Sequence, residues 1–374
     1  MISLLLVILL AVKIAATLAR GPVAIEMDAF GYWQLSSLVL SGDLLMLEQP
    51  IAYRTPGYPY FVAIVRAING SGALWSVVLI QGVLSLATIV IAAMLAGRIT
   101  SLPRAVPLTL AASLPAVSAL TFSAALLSET LFVFLVMLNL WAVVAYARHG
   151  TPGCAAWVGV TLGLTLLTRP IAVLLWIPHV VLLLFIHFRR WRLSRRWHSR
   201  RRHWRQLDSR RTPFHNRVKL WHRLGHALVT AGVTGILLAP WLVRNQHLFG
   251  SPQLTEFVGR NVWVVTFQDG SGAGLELPDS EAGVRLRRRL ERVDASDSWR
   301  STWSVSNALV ASGLSDAQAD RLMKQVARDA IATDQELFAK KAFRRIVNFW
   351  RCAATDLPRQ GGDQNYRGQR SWQY

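Results

Sequence analysis

Seven apolar runs, almost free of charge, constrain this chain more than anything else in it. They cover residues 2–18, 74–95, 105–122, 126–146, 155–167, 171–188 and 227–243. A helix needs about 20 apolar residues to cross a bilayer core, within a range of roughly 17–25. Most of the runs meet that length. The fifth is short, and only Thr168-Arg169-Pro170 separates it from the sixth. The first run has no basic start and no small-residue cleavage site after it, so it reads as an uncleaved span rather than a signal peptide. The expected fold is an all-α polytopic membrane protein with about seven transmembrane helices, an outer-face loop and an α-rich extracytoplasmic C-terminal region.

Composition agrees. Of 374 residues, 52% are hydrophobic and 17% charged, against about 25% charged in a soluble domain. So apolar a chain is not a disordered one, and two cysteines exclude a disulfide-stapled scaffold. Fifteen tryptophans suit the aromatic belts of membrane interfaces.

The net charge of +20 is concentrated in one place: residues 189–223 hold 14 Arg and Lys against one acid, Asp208. Such a cluster invites a nucleic-acid reading. Its flanks, 171–188 and 227–242, are apolar, and an Arg-rich loop between two apolar runs is what the positive-inside rule places in the cytoplasm. No nucleic-acid partner is therefore expected. With 189–223 inside, alternation puts Arg98, Arg104, Arg148 and His149 inside as well. Residues 19–73, Ser128-Glu129, Arg169 and everything after Val243 fall outside. The other short basic loops thus obey the same rule without adjustment. Residues 59–68 are apolar but only half a span long, and Arg66 interrupts them; they read as an interfacial or re-entrant helix on the outer face.

Two parts follow: residues 1–248 as a transmembrane module, with the outer loop at 20–73 and the cytoplasmic loop at 189–223, and residues 249–374 as an extracytoplasmic region. In the latter, 284–293 and 317–351 read as polar helices, with Ser315-Asp316 a helix start. A Gly-rich loop spans 268–274, and the last 16 residues read as frayed.

The outer side collects ionisable residues beside apolar helices: Asp28, Arg54, Glu129, Arg169 and Arg244, the last followed by Asn245. Charges at membrane depth are costly and mark functional sites by default. Each also has a plainer use. Glu129 could cap a helical hairpin, Arg169-Pro170 could only divide two spans, Arg244 could snorkel to headgroups, and Asp28 could be an ordinary surface acid. Taken together, arginines suit a phosphate, which their planar fork meets with paired hydrogen bonds. A carboxylate suits a hydroxyl acceptor whose proton it can take. The sequence has no HExxH, CxxC pair, P-loop, GxSxG or Asp-x-Asp nucleotide-sugar element. An outward-facing transferase without a nucleotide site needs a lipid-linked donor.

Four elements carry a resemblance. They are Asp28 with Tyr32 after the first span, Arg54-Thr55-Pro56-Gly57-Tyr58-Pro59, Ser128-Glu129-Thr130-Leu131-Phe132, and Arg169-Pro170 with Pro240-Trp241-Leu242-Val243-Arg244-Asn245. In that order, over roughly residues 1–260, they resemble GT-C membrane glycosyltransferases. The branch is that of the dolichyl-phosphate-mannose–protein mannosyltransferases, aminoarabinose transferases and rhizobial lipopolysaccharide core transferases. The resemblance implies an inverting transfer of a hexose or pentose from a polyprenyl-phosphate donor to a hydroxyl of a glycan, lipid or protein. It implies a multi-pass protein of the inner (plasma) membrane with its site facing the cell envelope. Asp28 would be the catalytic base or acceptor-orienting acid, and Glu129 the second acid, placing the acceptor or a divalent metal. Arg54, Arg169 and Arg244 would bind the donor phosphate, and Tyr32, Tyr58 and Asn245 the substrates. No residue is assigned as a metal ligand, and the resemblance fixes no cofactor, leaving a divalent metal open. Family members usually continue with further spans, which this chain lacks after Val243. That departure keeps a truncated, non-catalytic paralogue in view beside a lipid-linked sugar transporter.

Overall fold

The computed structural model describes residues 2–20, 25, 27–70, 73–100, 102, 104–113, 124–179, 213–268 and 275–350. No strand occurs among them. Residues 189–212 of the Arg-rich loop, 114–122 of the expected third span, 180–188 of the sixth, 269–274 of the Gly-rich loop and the last 16 residues lie outside the described residues. The chain divides into two compact units, Met1–Thr255 and Glu256–Tyr374.

The first unit holds α1 (Ile2–Arg20), α2 (Met27–Leu40), α3 (Gly57–Asn69), α4 (Ala73–Ile99), α5 (Ala105–Ala112), α6 (Glu129–His149), α7 (Pro152–Thr168), a 3-10 turn (Pro170–Leu175) and α8 (Pro213–Phe249). Among the described residues, three helices are long and apolar enough to cross a membrane: Ala73–Ile99, Glu129–His149 and Leu224–Phe249. Ile2–Ala15, Pro152–Thr168 and Pro170–His179 are apolar but shorter. The long helices keep much apolar surface on the outside, including Leu79, Val83, Val133, Ile236 and Val243. A water-soluble fold does not leave such stripes uncovered. The segment expected as an outer loop is largely helical, since α2 and α3 pair within it. The short run at 59–68 is the 13-residue α3, whose Tyr58, Pro59, Val62, Ala63 and Val65 are buried.

Local sequence explains the turns. Gly150 ends α6 in the left-handed conformation (φ 61°, ψ 32°), which a glycine adopts without cost. Thr151 then accepts a hydrogen bond from the Cys154 amide at 3.3 Å, and Pro152 opens α7, where its missing N–H costs nothing. At the other end, Arg169 is extended (φ −147°, ψ 126°) because Pro170 disfavours a helical residue before it. Helix α7 stops there.

Helices α7 and α8 pack at close range through small residues. A Cβ on Gly159 would lie 2.7 Å from the Thr230 carbonyl oxygen, so only glycine fits. Thr230 and Thr234 donate across the interface to the carbonyls of Ala155 and Gly159 at 2.9 and 3.0 Å. With no hydrophobic drive between helices in lipid, such approach and such bonds, worth about 0.6–2 kcal/mol each, hold spans together. Elsewhere Leu9, Ala93 and Leu110 join α1, α4 and α5. Ala142, Val143, Tyr146, Ala155 and Val158 join α6 to α7.

The second unit has its own core, formed by Trp263, Leu286, Leu290, Val305, Leu309, Met323, Val326 and their neighbours. It contains α9 (Val258–Trp263), one π turn (Val264–Gln268), α10 (Glu281–Glu291), a 3-10 turn (Ser296–Arg300), α11 (Thr302–Ala311), α12 (Asp316–Thr333) and α13 (Gln335–Trp350). Ser315 does start a helix: its hydroxyl accepts from the Gln318 amide, and the Gln318 side chain accepts from the Ser315 amide. The stretch expected as one helix over 317–351 breaks at Asp334, between α12 and α13. A buried ion cluster ties α9 to α12. Arg260 pairs with Asp316 and Asp320, and the Asp320 carboxylate accepts the Gly259 and Arg260 amides, both at 2.8 Å.

Candidate active site

Asp28 and Tyr32 stand one helical turn apart on α2 and therefore on one face. The segment leading into α3 brings Arg54 against them. Its Nη2 lies 2.8 Å from Asp28 Oδ1, and Nη1 donates to the Asp28 carbonyl at 3.2 Å. The guanidinium carbon sits 4.2 Å from the Tyr32 ring centroid. The Arg54 side chain is 10% exposed, whereas that of Asp28 is 57% exposed, so the pair is buried on its cationic side and open on its anionic side. Arg54 Nε is buried without a hydrogen-bond partner. Burial works against the cation, but Tyr32, Asp28 and Tyr53 outweigh it and hold the Arg54 pKa above its ordinary value.

Glu129 is the first residue of α6, where an acid complements the helix dipole. Its Oε1 pairs with Arg169 Nη1 at 2.6 Å, and both side chains are part-exposed. The extended backbone imposed by Pro170 is what presents Arg169 beyond the end of α7.

The two ion pairs occupy neighbouring, physically joined segments. The Tyr32 hydroxyl makes a long hydrogen bond, 3.3 Å, to Ser128 Oγ, next to Glu129. Thr55, next to Arg54, donates to the carbonyl of Thr168, next to Arg169, at 3.0 Å. Two residues further on, a Cβ on Gly57 would stand 2.6 Å from the Leu167 carbonyl oxygen; glycine lets the start of α3 abut the end of α7. Tyr58 is fully buried edge-on against Tyr32, ring centroids 4.7 Å apart, and donates to Gln81 Oε1 at 2.8 Å. Gln81 in turn donates to the Ala125 carbonyl at 2.7 Å, fixing the segment that leads to Glu129. Burial, then Tyr32, then Glu129 push the Tyr58 pKa well above its ordinary value, so its hydroxyl stays a donor.

Arg244 and Asn245 are occupied differently. The Arg244 side chain, 2% exposed, donates to the carbonyls of Leu45 (3.1 Å), Met46 (3.0 Å) and Ile51 (3.1 Å) and to Asn245 Oδ1 (2.8 Å). It also stacks 4.4 Å from the Trp241 ring centroid. Asn245 donates to the carbonyls of Gln253 and Leu254. Both residues brace backbone: the former holds the chain that runs up to Arg54, the latter the exit from α8.

Gln81, Thr55 and Ser128 were not singled out from sequence as joints of the site. An amide at position 81, alone in an apolar run, was the available signal, because a buried polar side chain must find partners. Among the described residues, no three of His, Cys, Asp and Glu converge to hold a metal ion.

One family model, described as dolichyl-phosphate-mannose-protein mannosyltransferase, matches residues 53–199, under half of the chain. The match agrees with the resemblance over the elements it spans, and the family it represents suggests a membrane glycosyltransferase. Arg54, Tyr58, Glu129 and Arg169 lie within the matched segment; Asp28, Tyr32, Arg244 and Asn245 lie outside it. No curated protein matches, and no solved structure matches.

Proposed function

We propose, from the premise that residues 53–199 carry a segment of the mannosyltransferase family, that this membrane protein moves a sugar from a polyprenyl-phosphate donor to a hydroxyl acceptor. In this reading the chain has seven spans in the inner (plasma) membrane, and the site faces outward. The observation that carries it is the pair of carboxylate–arginine contacts, Asp28–Arg54 and Glu129–Arg169, on segments tied by Tyr32–Ser128 and Thr55–Thr168. Two acids and two cations thus share one neighbourhood beside apolar helices, as an anionic lipid donor and a neutral acceptor require.

In the resting site Arg54 neutralises Asp28. A donor phosphate offers the guanidinium a second anion. Asp28, the more exposed partner, then accepts a hydrogen bond from the acceptor hydroxyl. As the acceptor oxygen attacks the anomeric carbon, its proton passes to Asp28. The bond from the anomeric carbon to the phosphate oxygen breaks on the opposite side and leaves its electron pair on the phosphate, so configuration inverts. Arg54 and Arg169 oppose the charge that grows there. Glu129 holds Arg169 in place and lines the acceptor side. Arg244 and Asn245 act at one remove, by fixing the 44–54 chain and the end of α8.

The test is transfer by the purified, reconstituted protein from a panel of polyprenyl-phosphate hexoses and pentoses. Asp28→Asn is expected to lower turnover by about 100-fold or more, within the range of general-base losses, while membrane insertion stays unchanged. Arg54→Ala is expected to raise the donor KM. Full turnover in Asp28→Asn would remove Asp28 from its role. Absence of product with every donor would favour the non-catalytic paralogue.

A further inference from the structure

The last described helix of the second unit presents a surface that its own core does not use. Leu337 and Phe338, at the start of α13, pack against that core. Beyond them the apolar residues turn away: Phe343 is 67% and Ile346 59% exposed, and Ala339 is exposed as well. At 100° per residue, positions 339, 343 and 346 fall on one stripe. On the same count Lys340 lies about 60° beyond one edge of the stripe, and Arg344 and Arg345 lie about 100° beyond its two edges, one on each side; all three are exposed. Glu336 is the one acid of the helix, and it already pairs with Lys340 at 2.5 Å.

We propose that this face of α13 seats on an anionic lipid surface, with Phe343 and Ile346 at the acyl boundary and Lys340, Arg344 and Arg345 among the headgroup phosphates. An exposed apolar stripe with long basic side chains on the two sides of the helix is what an interfacial helix needs. The stems of Lys and Arg add apolar cover while their charges reach outward. A bilayer is also within reach by covalent connection, because α8, which is long and apolar enough to cross one, ends at Phe249, shortly before the second unit begins. A second copy of the chain is a poorer occupant: a two-fold contact would set these basic residues against their own copies. The proposal depends on the chain being membrane-embedded and not on its catalytic chemistry.

The test uses the full chain, reconstituted in vesicles, with Cys154 and Cys352 replaced by Ser. A single cysteine is introduced as Ile346→Cys or, on the polar side, as Asn348→Cys, and carries a fluorophore. Lipids brominated on their tails quench only a probe that lies in the membrane. In vesicles containing phosphatidylglycerol, quenching at position 346 is expected to exceed that at 348 about twofold or more. It should weaken when Arg344→Glu is added and when salt is raised. Equal quenching at the two positions, or none, overturns the proposal. So does quenching that is unchanged in pure phosphatidylcholine, which would leave no role for the basic rim. A blue-shifted but unquenched probe at 346 overturns it too, since protein rather than lipid would then cover the stripe. If Arg344→Glu disturbs the second unit, as near-ultraviolet circular dichroism would reveal, the salt series decides.

Discussion

Arg54 and Arg244 are both at least nine-tenths buried, yet their donors are used differently. Arg54 faces one carboxylate and keeps Nε without a partner, whereas Arg244 meets three carbonyls and an amide oxygen. Removing them should therefore separate stability from donor use. Arg244→Ala leaves the carbonyls of residues 45, 46 and 51 unmatched in a buried place. It is expected to destabilise by about 3 kcal/mol or more, read as faster amide exchange across 44–54 and a lower melting temperature. Arg54→Ala should change that exchange much less while impairing donor use. If Arg244→Ala left exchange at 44–54 untouched, its bracing role would fail. The sequence placed both arginines on one short roster and could not tell them apart. The partners of Arg244 are backbone carbonyls nearly two hundred positions away, which carry no signature of residue type. Glu129 and Arg169 were each conspicuous in an apolar setting, but nothing in their spacing announced that they pair with one another.

At the scale of elements, length and uninterrupted apolarity made α4 and α6 readable, because few other structures bury such runs. The glycine and proline signals at Gly150-Thr151-Pro152 and Arg169-Pro170 gave the ends of α7. Helices α2 and α3 were harder: each is shorter than a span, and their pairing depends on Tyr58 meeting Tyr32, a tertiary contact. The α7–α8 interface was hidden for a similar reason, since Gly159 looks like any glycine in an apolar run until Thr230 is found against it. Gly159→Val is expected to push these helices apart, at a cost of about 1–3 kcal/mol typical of overpacking. Thermal unfolding in detergent would record it. The same change at Gly232, which has nothing within 4 Å of its added Cβ, should be far milder. Equal losses at both positions would point to glycine's backbone freedom rather than to the close approach.

For the whole molecule, sidedness remains the property on which the proposed chemistry turns. Impermeant thiol labelling of Asp28→Cys, Glu129→Cys and Arg148→Cys, each in intact cells and without native cysteines, should modify the first two from outside and leave the third unlabelled. Labelling of positions 28 and 129 from opposite sides would dismantle the shared site. Three of the seven expected spans are long enough in the described residues, so the labelling pattern also tests the remaining crossings. The second unit stands apart in the physics that stabilises it. Arg260 is 1% exposed, and its charge is answered by Asp316 and Asp320 within the unit, in a core whose helices carry their own caps. That unit draws its cohesion from water's rejection of oil, the larger one from fit between helices immersed in oil. Stripping native lipid during purification should thus injure one and spare the other. An inactive preparation could still display a folded carboxy-terminal unit, and antibodies or melting curves that sense only that unit would certify a damaged protein as sound.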